Sequence, residues 1–391
     1  MAEPRRVCVV GPGTRFLSGI TYYTYSLIEA LSEAGHQCSA VLIRNLVPAR
    51  FYPGRARVGG ALTQLSLPPN VPRVDGVDWY WGRSLVRAVA FLRRERPQVL
   101  VLQWWTGAVL HTYLVLAIVA RLHGARVVVE FHEAQDVGEA RLPFVGRYMD
   151  VLGRSLLRLS ARQLVHSQFD LGLVKSRYGV SESVELVPHA GYDYLPSRPP
   201  LRPAAPDVVN LLYFGVIRPF KGTEDLVAAL DLLGAAGYES QFWLTLVGET
   251  WEGWDLPNRL IAASPHRDRI TFVNRYVTDA EAAGYFAGAD VVVLPYHRSS
   301  SSGPLQIAMA AGLPVVATRV GGLIEATANY PGAVLVDPAD PASLAEGIRL
   351  AAKLAGQRFE GVTTWSDTAR SYTELFDAML SDPMLSDAAL P

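Results

Sequence analysis

The feature that most constrains the fold is a regular alternation of short β-branched runs with longer helical patterns along the whole chain. Six of these runs occur in the first half, over residues 7–10, 38–43, 99–103, 126–132, 163–167 and 184–188. Six more occur in the second half, over residues 208–214, 242–247, 270–273, 291–295, 314–318 and 333–336. Strands that alternate with helices form parallel sheets with helices on both faces. The sequence therefore predicts an α/β fold with two Rossmann-like, doubly wound domains.

A proline-rich segment separates the two halves. Five prolines stand among residues 195–206, and proline removes the backbone donor that a helix or a central strand needs. The predicted organisation is an N-terminal domain, a linker, a C-terminal domain and a terminal segment, over residues 1–195, 196–207, 208–363 and 364–391. Since open α/β sheets bind ligands at the carboxyl ends of their strands, we expect the two domains to face each other across a cleft.

Composition excludes several classes of protein. Apolar residues make up 50% of the 391 residues and charged residues 19%, which is typical of a folded protein. The longest apolar run, residues 109–120, is shorter than the roughly 20 residues that a membrane-spanning helix needs. The N-terminus lacks the apolar core of a signal peptide, so a cytoplasmic protein is expected. Cys8 and Cys38 lie in apolar strand-like runs and are expected to be buried, reduced thiols.

Charge is distributed unevenly along the chain. Residues 1–200 contain 23 basic and 15 acidic residues, whereas residues 201–391 contain 13 and 22. A basic first half suits an anionic acceptor or an anionic membrane surface, and attraction between two oppositely charged domains is the competing interpretation.

A long insertion rich in proline, glycine and arginine runs from Arg44 to about Gly82, and it is predicted to be a loop that contacts the acceptor. Its composition favours either a phosphorylated or lipid-linked acceptor at a bilayer or a large soluble aglycone. The residues behind this prediction are Arg50, Phe51, Tyr52, Arg55, Arg57, Arg73, Trp79, Tyr80 and Trp81.

A glycine-containing turn follows the first predicted strand. It runs from Gly11 to Gly19, includes Gly13 and Ser18, and leads into a predicted helix over residues 22–34. Glycines let a backbone approach a ligand closely, and the amides of a helix N-terminus bind phosphate. Phe16 breaks the Gly-x-Gly-x-x-Gly pattern, so the dinucleotide fingerprint fails, and a plain strand-to-helix turn is the competing interpretation.

Two cations follow the first predicted strand of the second half. Arg218 and Lys221 stand after residues 208–214 and before a helix that begins near Thr223. Two positive charges three residues apart beside a helix N-terminus make a suitable clamp for a diphosphate. The chain has three lysines against 33 arginines, which favours a functional role for Lys221 over that of a casual surface charge.

A serine-rich loop is a further candidate anion site. Residues 299–302 are all serine, and Gly303 and Pro304 then open a helical pattern. Hydroxyl donors together with the unpaired amides of a helix start suit an anion, and a flexible serine turn is the alternative.

The motifs around these residues resemble those of the retaining GT-B glycosyltransferases of family 4. The matching segments are Phe-Gly-Val-Ile-Arg-Pro-Phe-Lys-Gly, Ala-Met-Ala-Ala-Gly-Leu-Pro-Val-Val-Ala-Thr and Gly-Gly-Leu-Ile-Glu, over residues 214–222, 308–318 and 321–325. The first half matches through the glycine turn, Gly35-His36 and the strand that ends at His132. The segment 365–380 is similar to the family's C-terminal helix, which crosses back onto the first domain.

This resemblance implies roles for individual residues. Arg218 and Lys221 would hold the donor diphosphate, and His132 would lie near the transferred sugar. Arg275 and Tyr276 fall where the family's backbone meets the nucleobase. The other implied donor-binding residues are Gly13, Ser18, Gly19, Ser299, Ser302, Gly303, Pro304, Leu305 and Gln306.

The chain departs from the family pattern at two places. The family's Glu-x7-Glu pair would fall on Ser299 and Ile307, and Gln306 or the serines are candidates to replace it. The arginine of the common form would fall on Val216, whereas this chain has Arg218. Both changes together resemble a variant branch of the same family.

The resemblance implies a retaining, metal-independent hexosyltransferase of bacterial type that moves a sugar from a nucleoside diphosphate sugar to a hydroxyl acceptor. No cofactor is expected, because the two cations replace a metal ion and the sequence has no Asp-x-Asp cluster. The predicted partners are the nucleotide sugar and a small-molecule, glycan or lipid-linked acceptor, with a peripheral contact at the inner face of the membrane and no nucleic acid. The alternatives are a nucleotide-sugar epimerase or hydrolase of the same fold, and a catalytically silent nucleotide-sugar-binding subunit.

Overall fold

The computed structural model describes residues 3–15, 17–45, 62–78, 82–133, 143–180, 183–202, 205, 207–251 and 253–382. These residues form two compact units. Unit 1 comprises the described residues of 1–52, 65–190 and 363–391, and unit 2 comprises those of 53–64 and 191–362. The proline-rich segment predicted as a linker therefore belongs to unit 2.

The described strands are β1 (Arg6–Pro12), β2 (Gln37–Asn45), β3 (Arg73–Asp78), β4 (Val99–Trp104), β5 (Arg126–Phe131), β6 (Arg162–Val165), β7 (Val184–Leu186), β8 (Val209–Phe214), β9 (Phe242–Val247), β10 (Ile270–Val273), β11 (Val291–Leu294), β12 (Val315–Thr318) and β13 (Ala333–Val336). The described α-helices are α1 (Gly19–Glu33), α2 (Arg83–Glu95), α3 (Leu110–Leu122), α4 (Pro143–Leu159), α5 (Gln168–Tyr178), α6 (Thr223–Leu233), α7 (Leu256–Ala263), α8 (Asp279–Ala287), α9 (Gly303–Ala310), α10 (Gly322–Thr327), α11 (Pro341–Ala352) and α12 (Trp365–Ser381).

Each unit contains one parallel sheet. Unit 1 has seven strands in the order β3-β2-β1-β4-β5-β6-β7, and unit 2 has six in the order β10-β9-β8-β11-β12-β13. Every pair of neighbouring strands is parallel. The predicted fold class of two Rossmann-like domains is therefore confirmed, and all twelve predicted strands are present.

One strand was not predicted. The insertion from Arg44 to Gly82 was expected to be a loop, but it contains β3, which includes Arg73 and pairs with β2 at the edge of the sheet. Its sequence lacks an apolar run because it is an edge strand that carries acidic residues. Asp78 is buried even though it is acidic, with an exposure of 4%. Its carboxylate accepts a hydrogen bond from Arg44 Nε at 3.0 Å, which compensates the burial. The remaining residues named for this insertion, Arg50, Phe51, Tyr52, Arg55, Arg57, Trp79, Tyr80 and Trp81, lie outside the described residues.

Helices cover both faces of the sheet in unit 1. The connections β1 to β2 and β4 to β5 run in opposite directions across the sheet, so right-handed crossovers place α1 and α3 on opposite faces. Helix α12 packs beside α1. It is also bonded to residues outside α1: Asp377 accepts hydrogen bonds from Arg5 Nε and Nη2 at 3.1 and 2.9 Å, and Thr373 Oγ1 lies 2.9 Å from His36 Nε2. Cys8 and Cys38 are buried free thiols, as predicted.

Both sheets have a topological switch point, where connections leave two neighbouring strands in opposite directions. In unit 1 this point lies between β1 and β4, and in unit 2 between β8 and β11. Open α/β sheets bind ligands beyond the carboxyl ends of the strands at such points. Among the described residues, no helix is both long enough and apolar enough to cross a bilayer.

Candidate active site

Two cations lie at the carboxyl end of β8, on the switch point of unit 2. Arg218 caps a short helical turn that ends at Lys221, and Arg218 Cζ and Lys221 Nζ lie 5.4 and 5.6 Å from the centroid of the Phe220 ring. Lys221 Nζ is also 3.6 Å from the centroid of Tyr296, and Arg218 Cζ is 4.7 Å from that of Trp251. Electron-rich ring faces attract cations, so these aromatic residues hold the two positive charges in place.

The loop after β11 packs directly against this cluster. The amide of His297 donates a hydrogen bond to the carbonyl of Phe220 at 2.9 Å. Gly222 has φ +62°, and a Cβ there would lie 1.9 Å from the carbonyl oxygen of Pro295, so only glycine permits this approach. The contact also brings a third cation to the cluster, because Arg298 Cζ is 4.6 Å from the centroid of Phe220.

The serine loop leads into α9 with an ordered cap. Ser302 is the N-cap residue, and its Oγ accepts a hydrogen bond from the Leu305 amide at 3.2 Å. Gly303 and Pro304 form the first turn of the helix. Ser299 Oγ donates to the carbonyl of Ser301 at 2.7 Å. The Leu305 amide already donates to the Ser302 side chain. Of the backbone amides predicted to bind an anion at this helix start, the one at Gly303 therefore remains.

The position of the second missing carboxylate, Ile307, and the neighbouring Gln306 differ in their surroundings. Ile307 is 5% exposed and belongs to the core, which explains why no charge stands there. Gln306 is 4% exposed, and its Oε1 has no hydrogen-bond partner among the described residues. A buried amide oxygen without a partner is costly, so Gln306 is a natural acceptor for a hydroxyl donor from a ligand.

The predicted nucleobase segment lies at the carboxyl end of β10. Asn274 Oδ1 accepts hydrogen bonds from Thr250 N and Oγ1 at 2.9 and 3.1 Å, and the Trp251 amide donates to Ile217 O at 3.1 Å. These bonds join the loops after β10, β9 and β8 into one rim. The side chain of Arg275 turns to α8, where Nη1 donates to Glu281 at 3.2 Å and to the carbonyl of Tyr276 at 3.3 Å.

His132 lies at the carboxyl end of β5 in unit 1, within a buried polar cluster. Its Nε2 is 3.9 Å from Glu130 Oε2, and His166 Nε2 is 3.2 Å from Glu130 Oε1. Glu130 is fully buried, and it also accepts a hydrogen bond from Gln103 Nε2 at 3.4 Å. The ring of Tyr23 packs edge-on against His132, with a centroid distance of 4.5 Å.

Burial and charge distribute the protons of this cluster. Burial would raise the pKa of Glu130, but the neighbouring His132 and His166 bring it down to about 2. Burial would lower the pKa of His166, but its hydrogen bond to Glu130 raises it. Burial lowers the pKa of His132 to about 3. The cluster therefore contains one buried ion pair, between Glu130 and His166, beside a neutral His132.

The same three residues are spaced as metal ligands would be. One ligand atom each from Glu130, His132 and His166 lies within 4.8 Å of the other two. In addition, His166 Nδ1 is 3.0 Å from the carbonyl of Val187, a second contact that metal-binding histidines commonly make. A shared proton and a metal ion are thus the two species that fit this cluster.

The glycine turn of unit 1 has a structural role at one end. The Gly13 amide donates to Ile43 O at 2.9 Å, and a Cβ on Gly13 would lie 3.3 Å from that of Leu42, so the sheet itself accounts for this glycine. Ser18 is the N-cap of α1, and its amide donates to Thr21 Oγ1 at 3.2 Å. Gly19 is the first residue of the helix, and a Cβ there would meet no atom within 4 Å among the described residues.

Sequence reasoning missed several residues of these sites. In unit 2 they are Phe220, Trp251, Tyr296 and Arg298, and in unit 1 they are Tyr23, Glu130 and His166. Glu130 carried a usable signal, because a carboxylate inside an otherwise apolar strand must find a buried partner. His166 carried another, because it directly follows the neighbouring strand, β6.

Comparison with known proteins places both units in one family. The family model described as "Glycosyl transferase 4-like domain" matches residues 18–190, and that described as "Glycosyl transferases group 1" matches residues 209–353. The chain is 29% identical to the D-inositol 3-phosphate glycosyltransferase of Pseudarthrobacter chlorophenolicus, over 86% of this chain and 84% of that protein.

Solved structures share the whole fold. A glycosyltransferase from Rickettsia africae superimposes with a TM-score of 0.68 and 16% identity, over 97% of this chain and 99% of that one. HepE from Anabaena, in complex with UDP and glucose, gives 0.64 and 16%, over 96% and 100%. Together with the two family models and the D-inositol 3-phosphate glycosyltransferase relative, this shared fold identifies the protein as an enzyme of the GT-B glycosyltransferase class. Within that class, the chain belongs to glycosyltransferase family 4, as its motifs suggested.

Proposed function

We propose that this glycosyltransferase moves a sugar from a nucleoside diphosphate sugar to a hydroxyl acceptor, with retention of anomeric configuration and without a metal ion. The observation that carries the proposal is the pair Arg218 and Lys221, held over aromatic rings at the switch point of unit 2. Two fixed cations beside a helix start suit the two charges of a diphosphate.

The proposed reaction breaks the bond between the anomeric carbon and the diphosphate and forms a bond from the same carbon to the acceptor oxygen. Negative charge develops on the departing diphosphate, where Arg218 and Lys221 stabilise it through fixed charges that need no rearrangement during the reaction. The acceptor approaches on the face that the diphosphate leaves. A phosphate oxygen of the leaving diphosphate takes the acceptor's proton, so the reaction needs no protein base.

The state of His132 supports retention. A general base works best with a pKa near the working pH, whereas burial lowers the pKa of His132 to about 3. A neutral imidazole of this kind forms hydrogen bonds to sugar hydroxyls and does not take up a proton. We therefore assign His132 to binding the transferred sugar.

The nucleoside and sugar contacts are proposed for the rim and for α9. The loop held by Asn274 presents the backbone of Arg275 and Tyr276 to the nucleobase. Gln306 Oε1 accepts a hydrogen bond from a sugar or ribose hydroxyl in place of the missing carboxylate, because it is a buried acceptor. The UDP and glucose bound to HepE support a nucleotide sugar as the donor class.

The acceptor is proposed to be anionic. Unit 1 contains most of the basic first half of the chain, and the relatives named for D-inositol 3-phosphate support an acceptor with a phosphate group. The same positive charge suits a peripheral, salt-sensitive contact with an anionic membrane at the inner, cytoplasmic face.

Metal independence is proposed because the two cations supply the charge that a metal would otherwise provide. Activity should survive dialysis against EDTA, and metal analysis of the purified protein should find less than one equivalent. A stoichiometric metal whose removal abolishes transfer would overturn metal independence, and Glu130, His132 and His166 would be its candidate ligands.

The experiment that tests the proposal has two stages. A thermal-shift screen of nucleotide sugars identifies the donor, since any ligand that binds only the folded state raises the unfolding temperature. Proton NMR of the product then reports its anomeric configuration, for which retention is expected. An inverted product would reassign His132 as a general base. Release of nucleotide at the full rate without acceptor would indicate a hydrolase or epimerase.

A further inference from the structure

Three neighbouring helices of unit 1 expose apolar side chains to solvent. Among the described residues, the three most exposed large apolar side chains are Val86 on α2, Leu122 on α3 and Val151 on α4, with exposures of 68%, 64% and 56%. Single exposed apolar residues are normal on a protein surface. Here the three highest values fall one on each of three adjacent helices.

These helices lie side by side on one face of the sheet. Each buries its inner side in the same core, with Phe91 from α2, Leu116 from α3 and Leu156 from α4. Helix α3 contacts both α2 and α4, so it is the central one. Its outer side continues the apolar character, because Val115 and Ile118 are partly exposed in line with Leu122. The outer sides of the three helices together are called the arginine face below.

Arginines flank the central helix on both sides. The exposed arginines of this face are Arg83, Arg87, Arg93 and Arg94 on α2, and Arg147, Arg154 and Arg158 on α4. The three helices contain two acidic residues, and both are in ion pairs: Glu95 with Arg94 at 2.7 Å, and Asp150 with Arg177 of α5 at 3.4 Å. The face therefore carries a large positive excess around an apolar strip.

We propose that the arginine face docks unit 1 onto an anionic lipid bilayer. Its arginines contact lipid phosphates, while Val86, Leu122 and Val151 enter the boundary between head groups and acyl chains. Lipid fits better than a nucleic acid, because phosphate backbones offer no apolar medium for three projecting aliphatic side chains. The inference rests on the membrane contact in the proposed function and assigns that contact to described residues outside the aromatic insertion.

Vesicle flotation with the full chain tests this surface. The vesicles contain equal parts of phosphatidylcholine and phosphatidylglycerol, and the ionic strength is varied from about 0.05 M to about 0.5 M. We expect the wild-type protein to float with the vesicles at low salt and to be released at high salt. The fourfold variant Arg83→Gln, Arg87→Gln, Arg147→Gln, Arg158→Gln should bind at least about a hundredfold more weakly, at roughly fivefold per arginine.

Two further variants test where the charge must lie and what the apolar side chains add. The control Arg259→Gln, Arg267→Gln, Arg349→Gln, Arg370→Gln removes the same charge from exposed sites elsewhere and should bind like the wild type. The variant Val86→Ser, Leu122→Ser, Val151→Ser keeps the charge and should leave a weaker interaction that salt removes completely. All of these side chains are exposed, so the fold should persist, and near-ultraviolet circular dichroism checks it.

The outcomes distinguish failure of this surface from failure of the membrane contact. Equal binding by the arginine-face variant and the control would overturn the arginine face while the membrane contact stands. A wild-type protein that never floats would overturn both. Binding to polyglutamate but not to vesicles would also overturn the lipid assignment, in favour of an acidic protein partner. Transfer to a soluble acceptor should be equal in all variants, because none of these residues belongs to the donor site.

Discussion

In unit 1 the strand ends enclose titratable groups, whereas in unit 2 the strand ends display cations. Glu130 and His166 neutralise each other inside the core, and His132 beside them stays uncharged. Arg218 and Lys221 instead lie over aromatic rings beside a helix start. Both arrangements stand at the carboxyl end of a parallel sheet with the same kind of switch point. The topology therefore brings both groups of residues to the carboxyl ends of strands, and local burial determines which charges stay exposed there.

The largest expected effect is on the stability of unit 1. Glu130→Gln removes one partner of a buried ion pair, so His166 must either keep an uncompensated charge or give up its proton, and the unfolding free energy should fall by about 3 to 5 kcal/mol. Chemical denaturation measures this change. Glu346→Gln removes one partner of an exposed pair and serves as the control, with an expected change below about 0.5 kcal/mol. Similar losses in both variants would show that the ion pair of unit 1 is not the buried anchor described here.

The next effect is on turnover, and it tests unit 2. Lys221→Ala should lower kcat/KM by about a hundredfold to a thousandfold, because a fixed charge is lost where the transition state develops negative charge. The fold should persist, since Lys221 is not a buried residue. Lys353→Ala is the matched control and should retain full activity. A loss of less than tenfold in Lys221→Ala, or roughly 1.4 kcal/mol, would remove the leading role from this lysine.

A smaller effect is expected on the pH dependence of stability. The pKa of His132 is about 3 in the folded protein against an ordinary 6.5, so between these values the unfolded chain binds one proton more. The stabilisation that the neutral His132 provides is complete above about pH 6.5. It is lost as the pH falls, and the unfolding free energy then decreases by about 1.4 kcal/mol per pH unit. Glu130, whose folded pKa is also depressed, adds a loss in the same direction below about pH 4.5.

Denaturation at a series of pH values gives this slope directly. The raised pKa of His166 acts in the opposite sense, because its contribution is present at low pH and is lost as the pH rises. His132→Gln should remove about 1.4 kcal/mol per pH unit from the slope below pH 6.5, while His189, whose pKa burial also lowers to about 3, keeps its own contribution. An unchanged slope in His132→Gln would mean that this imidazole is charged in the folded protein.

The smallest effect concerns Gln306. Replacing it with leucine removes a buried oxygen that has no partner, so the free protein should be equally stable or more stable by about 1 kcal/mol. Donor binding should weaken by about twofold to tenfold, the value of one neutral hydrogen bond. The control is the exposed Gln357→Leu. Unchanged donor affinity in Gln306→Leu would exclude this side chain from the donor site.

Most of the fold and part of the site follow from sequence alone. The twelve predicted strands carry apolar, β-branched runs because a parallel sheet is buried on both faces. The exception, β3, is an edge strand whose Asp78 is buried only because Arg44 pairs with it, and that pairing joins residues far apart in sequence. Edge strands of this kind lack the run that reveals the others.

The site residues divide in the same way. Arg218 and Lys221 lie in one short motif and Ser302 lies in another, so a linear pattern is enough to select them as candidates. The aromatic rings under the cations come from the ends of different strands, with Trp251 after β9 and Tyr296 after β11. Their roles depend on which strands are neighbours, and that order is a property of the sheet and not of any one segment.

A calorimetric titration with nucleoside diphosphates tests the proposed diphosphate site most directly. If unit 2 holds a diphosphate between Arg218 and Lys221, the wild-type protein should bind at least one of UDP, GDP and ADP saturably, and Lys221→Ala should bind the same ligand at least tenfold more weakly. Lys353→Ala should bind it with wild-type affinity. Equal affinities in the wild type and Lys221→Ala, or no binding of any nucleoside diphosphate by the wild type, would contradict the assignment of this site.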